Sequence, residues 1–226
     1  MGIRADGLTK QYGPFSAVED LDVHVETGER VCVLGPNGSG KTTLLRLLAG
    51  LTKPTSGTVT VDGMDYESAA RPIRRNLGFV SHETMLYENL SARENLRFHA
   101  RLRGVPESRV ETVLERVDLA HRGSSLPREL SHGMQKRLSL ARAELDAPSI
   151  LLFDEPFSGL DQASVGTLKT LFDDRTIVLA THEFELAFET CDRAVVLSRG
   201  SLALDVSTDS MADVDDLRDR YRSVIP

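Results

Sequence analysis

Gly35-Pro36-Asn37-Gly38-Ser39-Gly40-Lys41-Thr42 is the stretch on which the fold turns. It fits the pattern GxxxxGK[ST], and it has the flanks that pattern needs. Before it runs Arg30-Val31-Cys32-Val33-Leu34, apolar enough for a central strand. After it, Thr42 to Ala49 carries Leu at 44, 45, 47 and 48, the spacing of a buried helix closed by Gly50. Strand, glycine loop and helix in this order form an anion site, because the glycines let backbone N–H groups converge at the positive end of a helix. Lys41 is then placed to reach β and γ phosphates, the Thr42 hydroxyl to ligate Mg²⁺, and Thr43 continues the same first turn.

Working outward, Leu21, Val23 and Val25 alternate with polar residues as in a half-buried strand, and Gly28 turns the chain into the central run. Downstream, Gly57 to Val61 predicts a strand ending in an Asp62-Gly63 turn, and Leu77 to Val80 predicts another. From Ser91 the texture becomes helical: Ser91 and Glu94 form a capping box, and Pro106 opens a second helix running to Val117. A helical subdomain at about 83–147 therefore interrupts the β pattern. Ile150 to Phe153, a helix over 161–172, Thr176 to Ala180, a helix over 183–190 and a hairpin from Ala194 resume it. The expected fold is α/β: a P-loop NTPase (RecA-like) core with an N-terminal antiparallel β subdomain and the inserted helices. The ATP-binding domain is assigned to 1–205, and 206–226 reads as an acidic C-terminal tail with room for one helix.

The chain has 226 residues, 27 Lys and Arg against 34 Asp and Glu, and a formal net charge of −7, which lacks the basic footprint of a nucleic-acid binder. Two cysteines, Cys32 and Cys191, are too few for a disulfide framework and point to a reducing compartment. The apolar runs are strand-sized, far below the ~20 residues of a membrane span, and the first ten residues lack the apolar core of a signal peptide. Membrane contact is expected to go through a protein partner.

Two further stretches carry chemistry. Ile150-Leu151-Leu152-Phe153-Asp154-Glu155 is an apolar strand ending in two carboxylates, and ligands of parallel sheets sit at the carboxyl ends of strands. Asp154 is the candidate to hold Mg²⁺ through its water shell, and Glu155 the general base for an attacking water. Leu130-Ser131-His132-Gly133-Met134 precedes a helix whose free N–H groups and Ser131 hydroxyl make a second anion-facing helix start.

With these residues in order, the chain resembles the nucleotide-binding ATPase subunit of an ATP-binding cassette (ABC) transporter over residues 3 to about 205. Residues 35–42 match its Walker A loop, 150–155 its Walker B strand, and Leu130 to Met134 its LSGGQ signature. Ser158-Gly159-Leu160-Asp161 resembles its D-loop, His182 its switch histidine, and Tyr12 the aromatic that stacks on adenine. The resemblance implies ATP and Mg²⁺ as ligands. It also implies a head-to-tail dimer with itself or a homologous ATPase subunit, one or more integral membrane permease subunits as partners, and a peripheral place on the cytoplasmic face of the cell membrane.

The signature departs from the family at His132 and Met134, and the family's strand-end glutamine is replaced by His82. Mg²⁺ prefers oxygen, so His82 is better suited to hydrogen bond a water than to ligate the ion. The segment 81–105, with LFDEPFSGLD and the compact length, resembles the haem-handling subunits of cytochrome c maturation. Exporter ATPases for other substrates, a metallocluster-assembly ATPase and a nucleotide sensor without turnover are the alternatives. A DNA-maintenance ATPase would need a longer insert than 41–130 provides.

Overall fold

The computed structural model describes residues 2–158, 165–166, 172 and 175–225. Its centre is a six-stranded sheet of β3 (Arg30–Leu34), β6 (Leu77–Val80), β7 (Ile150–Asp154), β8 (Thr176–Ala180), β9 (Arg193–Ser198) and β10 (Ser201–Ser207). The strand order is β10-β9-β3-β8-β7-β6, parallel except for the β9–β10 hairpin at one edge.

β7 and β8 are buried at every residue, so the sheet is covered on both faces, as parallel sheets are. The two-residue period of a strand divides its side chains between two cores. Cys32, Leu34, Leu151, Phe153, Ile177, Leu179, Ala194 and Val196 pack into one. Val31, Val33, Ile150, Leu152, Val178, Ala180, Val195 and Leu197 pack into the other.

The second core is roofed by α1 (Lys41–Leu48) and a four-stranded antiparallel sheet of β1 (Gly2–Tyr12), β2 (Phe15–Glu26), β4 (Ser56–Val61) and β5 (Met64–Asp65), in the order β2-β1-β4-β5. β1 carries no clear alternation and was not foreseen; its pairing with β2 shifts register at Gly7 and Leu8, which breaks the two-residue pattern. α2 (Tyr66–Asn76) was also missed, because Pro72 lies inside it and Ala69 leaves helical geometry, so its apolar period is short.

The first core is covered by α3 (Ala92–Arg103), α4 (Ser108–Arg116) and α5 (His132–Ala143), the expected helical subdomain. The Ser91–Glu94 capping box is formed as read from the sequence. Arg93 ties α3 to Glu111 of α4 through two hydrogen bonds of 2.7 and 3.1 Å. The fully buried carboxylate of Glu144, just after α5, is held by Arg116 of α4 and by Arg175 at the start of β8, which locks the helices to the sheet.

The helix expected over 161–172 lies largely outside the described residues; Phe172 packs on Phe153 and Phe157. α6 (Phe184–Thr190) follows β8. Residues 206–226, read as a tail, are instead integral: α7 (Val214–Val224) buries Leu217 completely and sets Tyr221 edge-on against Phe184 of α6, with ring centroids 5.0 Å apart. Three acidic residues in its first turns made it look like solvated tail, yet Asp213 caps it and the apolar stripe Leu217, Tyr221, Val224 faces the core. Among the described residues no helix is long and apolar enough to cross a membrane.

Candidate functional site

β3, β6, β7 and β8 end together, because Val80 pairs with Phe153, Asp154 with Ala180, and Val33 with Ala180. The residues that follow these ends, Gly35, Ser81-His82, Glu155 and Thr181-His182, therefore gather at one rim of the sheet. This is the carboxyl rim, where the two strand-end acids and the glycine loop were expected to meet.

The loop bends back over α1 with Gly35, Gly38 and Gly40 at φ of 152, 80 and 105°. Gly40 is required twice over, since a Cβ there would also meet the carbonyl oxygen of Ala17. A cavity of 260 Å³ opens at this loop, lined by Asn37, Gly38, Ser39, Gly40, Lys41, Thr42, Thr43, Asp154 and Glu155 together with Phe15 and Ala17. Gly35 and Pro36 stand behind it, their carbonyls accepting hydrogen bonds of 2.7 and 3.2 Å from the buried ammonium of Lys41. Burial lowers the Lys41 pKa, against the charges of Glu155 and Asp154.

Thr42 Oγ1 donates to Asp154 Oδ1 at 3.0 Å. Burial raises the Asp154 pKa; the Thr42 hydrogen bond opposes this, and the nearby Glu155 charge adds to it. A hydroxyl and a buried carboxylate oxygen side by side are hard donors that suit Mg²⁺. No cluster of three or more His, Cys, Asp or Glu exists among the described residues, so such an ion would complete its shell from phosphate and water. His82 is exposed beyond β6, near enough to Asp154 for an electrostatic interaction.

Glu155 and His182 meet directly, with Nδ1 2.8 Å from Oε2. A carboxylate only accepts, so Nδ1 carries the proton and the opposite ring nitrogen of a neutral imidazole is left as an acceptor.

Ser131 caps α5 by accepting from Met134 N at 3.2 Å. Ser131, His132 and Gly133 do not line the glycine-loop cavity of their own chain. Met134, at the departing fifth signature position, packs against the core instead of facing solvent. Asp161 lies outside the described residues.

Tyr12 is half exposed and not part of the cavity wall; its ring receives the Lys10 ammonium at 5.1 Å. Sequence reasoning missed Phe15, which stands directly opposite Tyr12 across the Gly13-Pro14 turn and lines the cavity. The available signal was an aromatic directly after the turn. Opposed residues share a sheet face, which puts the two rings on the same side of the hairpin. Phe15→Ala is expected to weaken ATP binding about fivefold, the lower end of base-stacking energies, while tripolyphosphate affinity stays unchanged. Calorimetry with both ligands checks this; equal loss on both would make Phe15 a support of the loop.

A glycine loop between strand and helix, an acid at the end of the neighbouring strand and a carboxylate–imidazole pair beside it define a P-loop nucleotide site. The chain belongs to the ABC transporter family, whose model matches residues 18–158. It is 40% identical over 215 residues to a sulfate/thiosulfate import ATP-binding protein of Thermosynechococcus vestitus, covering 89% of this chain and 63% of that one. With the protein of the same name from Synechococcus elongatus it is 42% identical, covering 89% and 61%. The chain thus spans about three fifths of the length of these relatives. Among solved structures, the ATP-binding subunit of an ABC transporter superposes with a TM-score of 0.88 at 28% identity, covering 98% of this chain and 100% of that one. A bacterial ABC transporter cassette solved as a dimer gives 0.83 at 28% identity, covering 91% and 98%. It has also been solved in a post-hydrolysis state with ADP and phosphate.

Proposed function

We propose that the chain is the ATP-binding and ATP-hydrolysing subunit of an ABC transporter, closing head to tail with a second copy or a homologous subunit to drive a membrane permease. The observation that carries the reading is the Glu155–His182 pair set beside Asp154 and the phosphate loop. ATP would lie with its phosphates on the N–H groups of 37–43 and Lys41, and its base on Tyr12 and Phe15. Mg²⁺, when bound next to Thr42 and Asp154, supplies charge neutralisation for the phosphoryl oxygens. Glu155 takes the proton of the attacking water, His182 holds the Glu155 carboxylate in place, and His82 hydrogen bonds water on the β6 side.

The position of Ser131, His132 and Gly133 outside the cavity supports the dimer, since these groups become useful only against a nucleotide on another copy. The dimeric cassette among the similar structures supports it too. Asp161, at the end of the D-loop stretch, is assigned to the nucleotide site by resemblance.

The relatives' names support oxyanion import as the cargo reading and lend nothing to haem-related export, the narrower expectation from the sequence.

The permease surface is read on the loop after β6 and on α3. Leu86 packs against the core. Met85 and Tyr87 are exposed and join Phe98 and Leu102, one helical turn apart on α3, in an apolar patch with Tyr87 edge-on to Phe98. Leu102 alone is 69% exposed, more than solvation favours. Such a patch suits a short amphipathic helix of the permease, which supports a peripheral position at the cytoplasmic face of the membrane.

Purified protein is expected to hydrolyse ATP, and Met85→Asp with Leu102→Asp is expected to retain that hydrolysis while losing co-fractionation with host membranes by tenfold or more. Absence of hydrolysis in the parent overturns the ATPase reading. Undiminished co-fractionation of the variant places the permease contact elsewhere.

A further inference from the structure

Lys136 sits in the second turn of α5, just past Ser131-His132-Gly133. It is buried, and its Nζ donates 3.1 Å to the main-chain oxygen of Glu155 and 2.8 Å to that of Ser158. Nothing in the established chemistry of the site requires an ammonium there, and burying one is unfavourable: desolvation lowers its pKa, against the charges of Glu155 and Glu183. It nevertheless spends its donors on carbonyls of the segment that carries the general base.

Glu155 needs holding. It is a non-glycine residue at φ 52°, in the left-handed region, and such a conformation persists only where its surroundings over-determine it. Its N–H donates to the carbonyl of Ala180 at 2.9 Å, and its carboxylate accepts from His182. Those two anchors come from β8 and the residues after it. The third, on the carbonyl, comes from α5. The same helix is braced at its start, where the Gln135 amide donates to the carbonyls of Pro127 at 2.9 Å and Leu130 at 3.3 Å. The Lys136 ammonium therefore links the first turns of α5 directly to the backbone of Glu155.

We infer that Lys136 is a positioning residue that fixes the Glu155 backbone from the helix bearing Ser131 and His132, so that engagement of that helix by one nucleotide sets the general base for the other. The inference rests on the ATPase and dimer reading above. An error of about 1 Å in the placement of a base costs on the order of 100-fold in rate, so the link controls turnover and leaves affinity alone.

The test compares Lys136→Met, Lys136→Gln and Lys136→Arg with the parent in steady-state ATP hydrolysis. Lys136→Met keeps the length and loses the donors; its kcat is expected to fall tenfold or more with the ATP KM within twofold. Lys136→Arg, which can reach both carbonyls, is expected to restore at least a third of the parental kcat. Lys136→Gln, with one amide donor group, falls between and decides the matter if the Met variant does not fold. In a Glu155→Gln background, Lys136→Met is expected to leave the residual rate within twofold. An active parent with unchanged kcat in the Met and Gln variants overturns the inference about Lys136 alone. So does a KM that rises as kcat falls, or failure of Arg to restore. A parent without hydrolysis overturns the ATPase reading, and this inference with it.

Discussion

Glu155→Gln is expected to cut ATP turnover by about 10²- to 10⁴-fold, the range general-base groups supply, while ATP binding remains at the parental level. The amide keeps the size of the carboxylate but cannot take a proton from water. The phosphate loop, Lys41 and the Thr42–Asp154 pair are untouched by the change. Because hydrolysis is what would reopen the closed pair, the variant should accumulate as a dimer in ATP. Single-turnover hydrolysis and size-exclusion chromatography with and without ATP check both halves. Persistent monomer together with undiminished hydrolysis would remove Glu155 from the role of base and the dimer from the mechanism.

Lys41→Ala is expected to lose ATP affinity by about 100-fold. A charge-assisted hydrogen bond is worth about 1.5–3 kcal/mol, each 1.4 kcal/mol is tenfold in affinity, and backbone amides of the loop offer no replacement cation for the β and γ phosphates. The ammonium is already gathered under the loop by the carbonyls of Gly35 and Pro36, so it is placed before ligand arrives. Calorimetry with ATP gives the affinity. Unchanged binding would mean that the glycine loop is not the nucleotide site.

Most of the core was legible because it follows local rules. The stretches Arg30 to Leu34, Leu77 to Val80 and Thr176 to Ala180 were read as strands and are strands at those limits. Continuous apolar runs bounded by turn residues leave few alternatives. The Ser91–Glu94 box and the Asp62-Gly63 turn are encoded within four residues and formed as read. β1, α2 and the packing of α7 were not legible. Each is stabilised by partners distant in sequence: Val59 and Val61 of β4 for β1, Leu48 O for the Tyr66 hydroxyl that starts α2, and Phe184 for α7.

The sequence by itself determined the chemistry: a phosphate loop, two strand-end acids and a Ser-capped helix, because each is a short motif whose function follows from residue type and spacing. Which of them share a cavity was decided only by the tertiary structure. The parallel register brings Gly35, Asp154, Glu155 and His182 to one rim, whereas Ser131, His132 and Gly133 do not line the cavity there. The inward turn of Leu86, the place of Phe15 beside the loop and the grip of Lys136 on the Glu155 carbonyl likewise depend on which strand or helix lies opposite. Side-chain direction and long-range hydrogen bonds are properties of packed neighbours, and residues far apart along a chain become neighbours only when it folds.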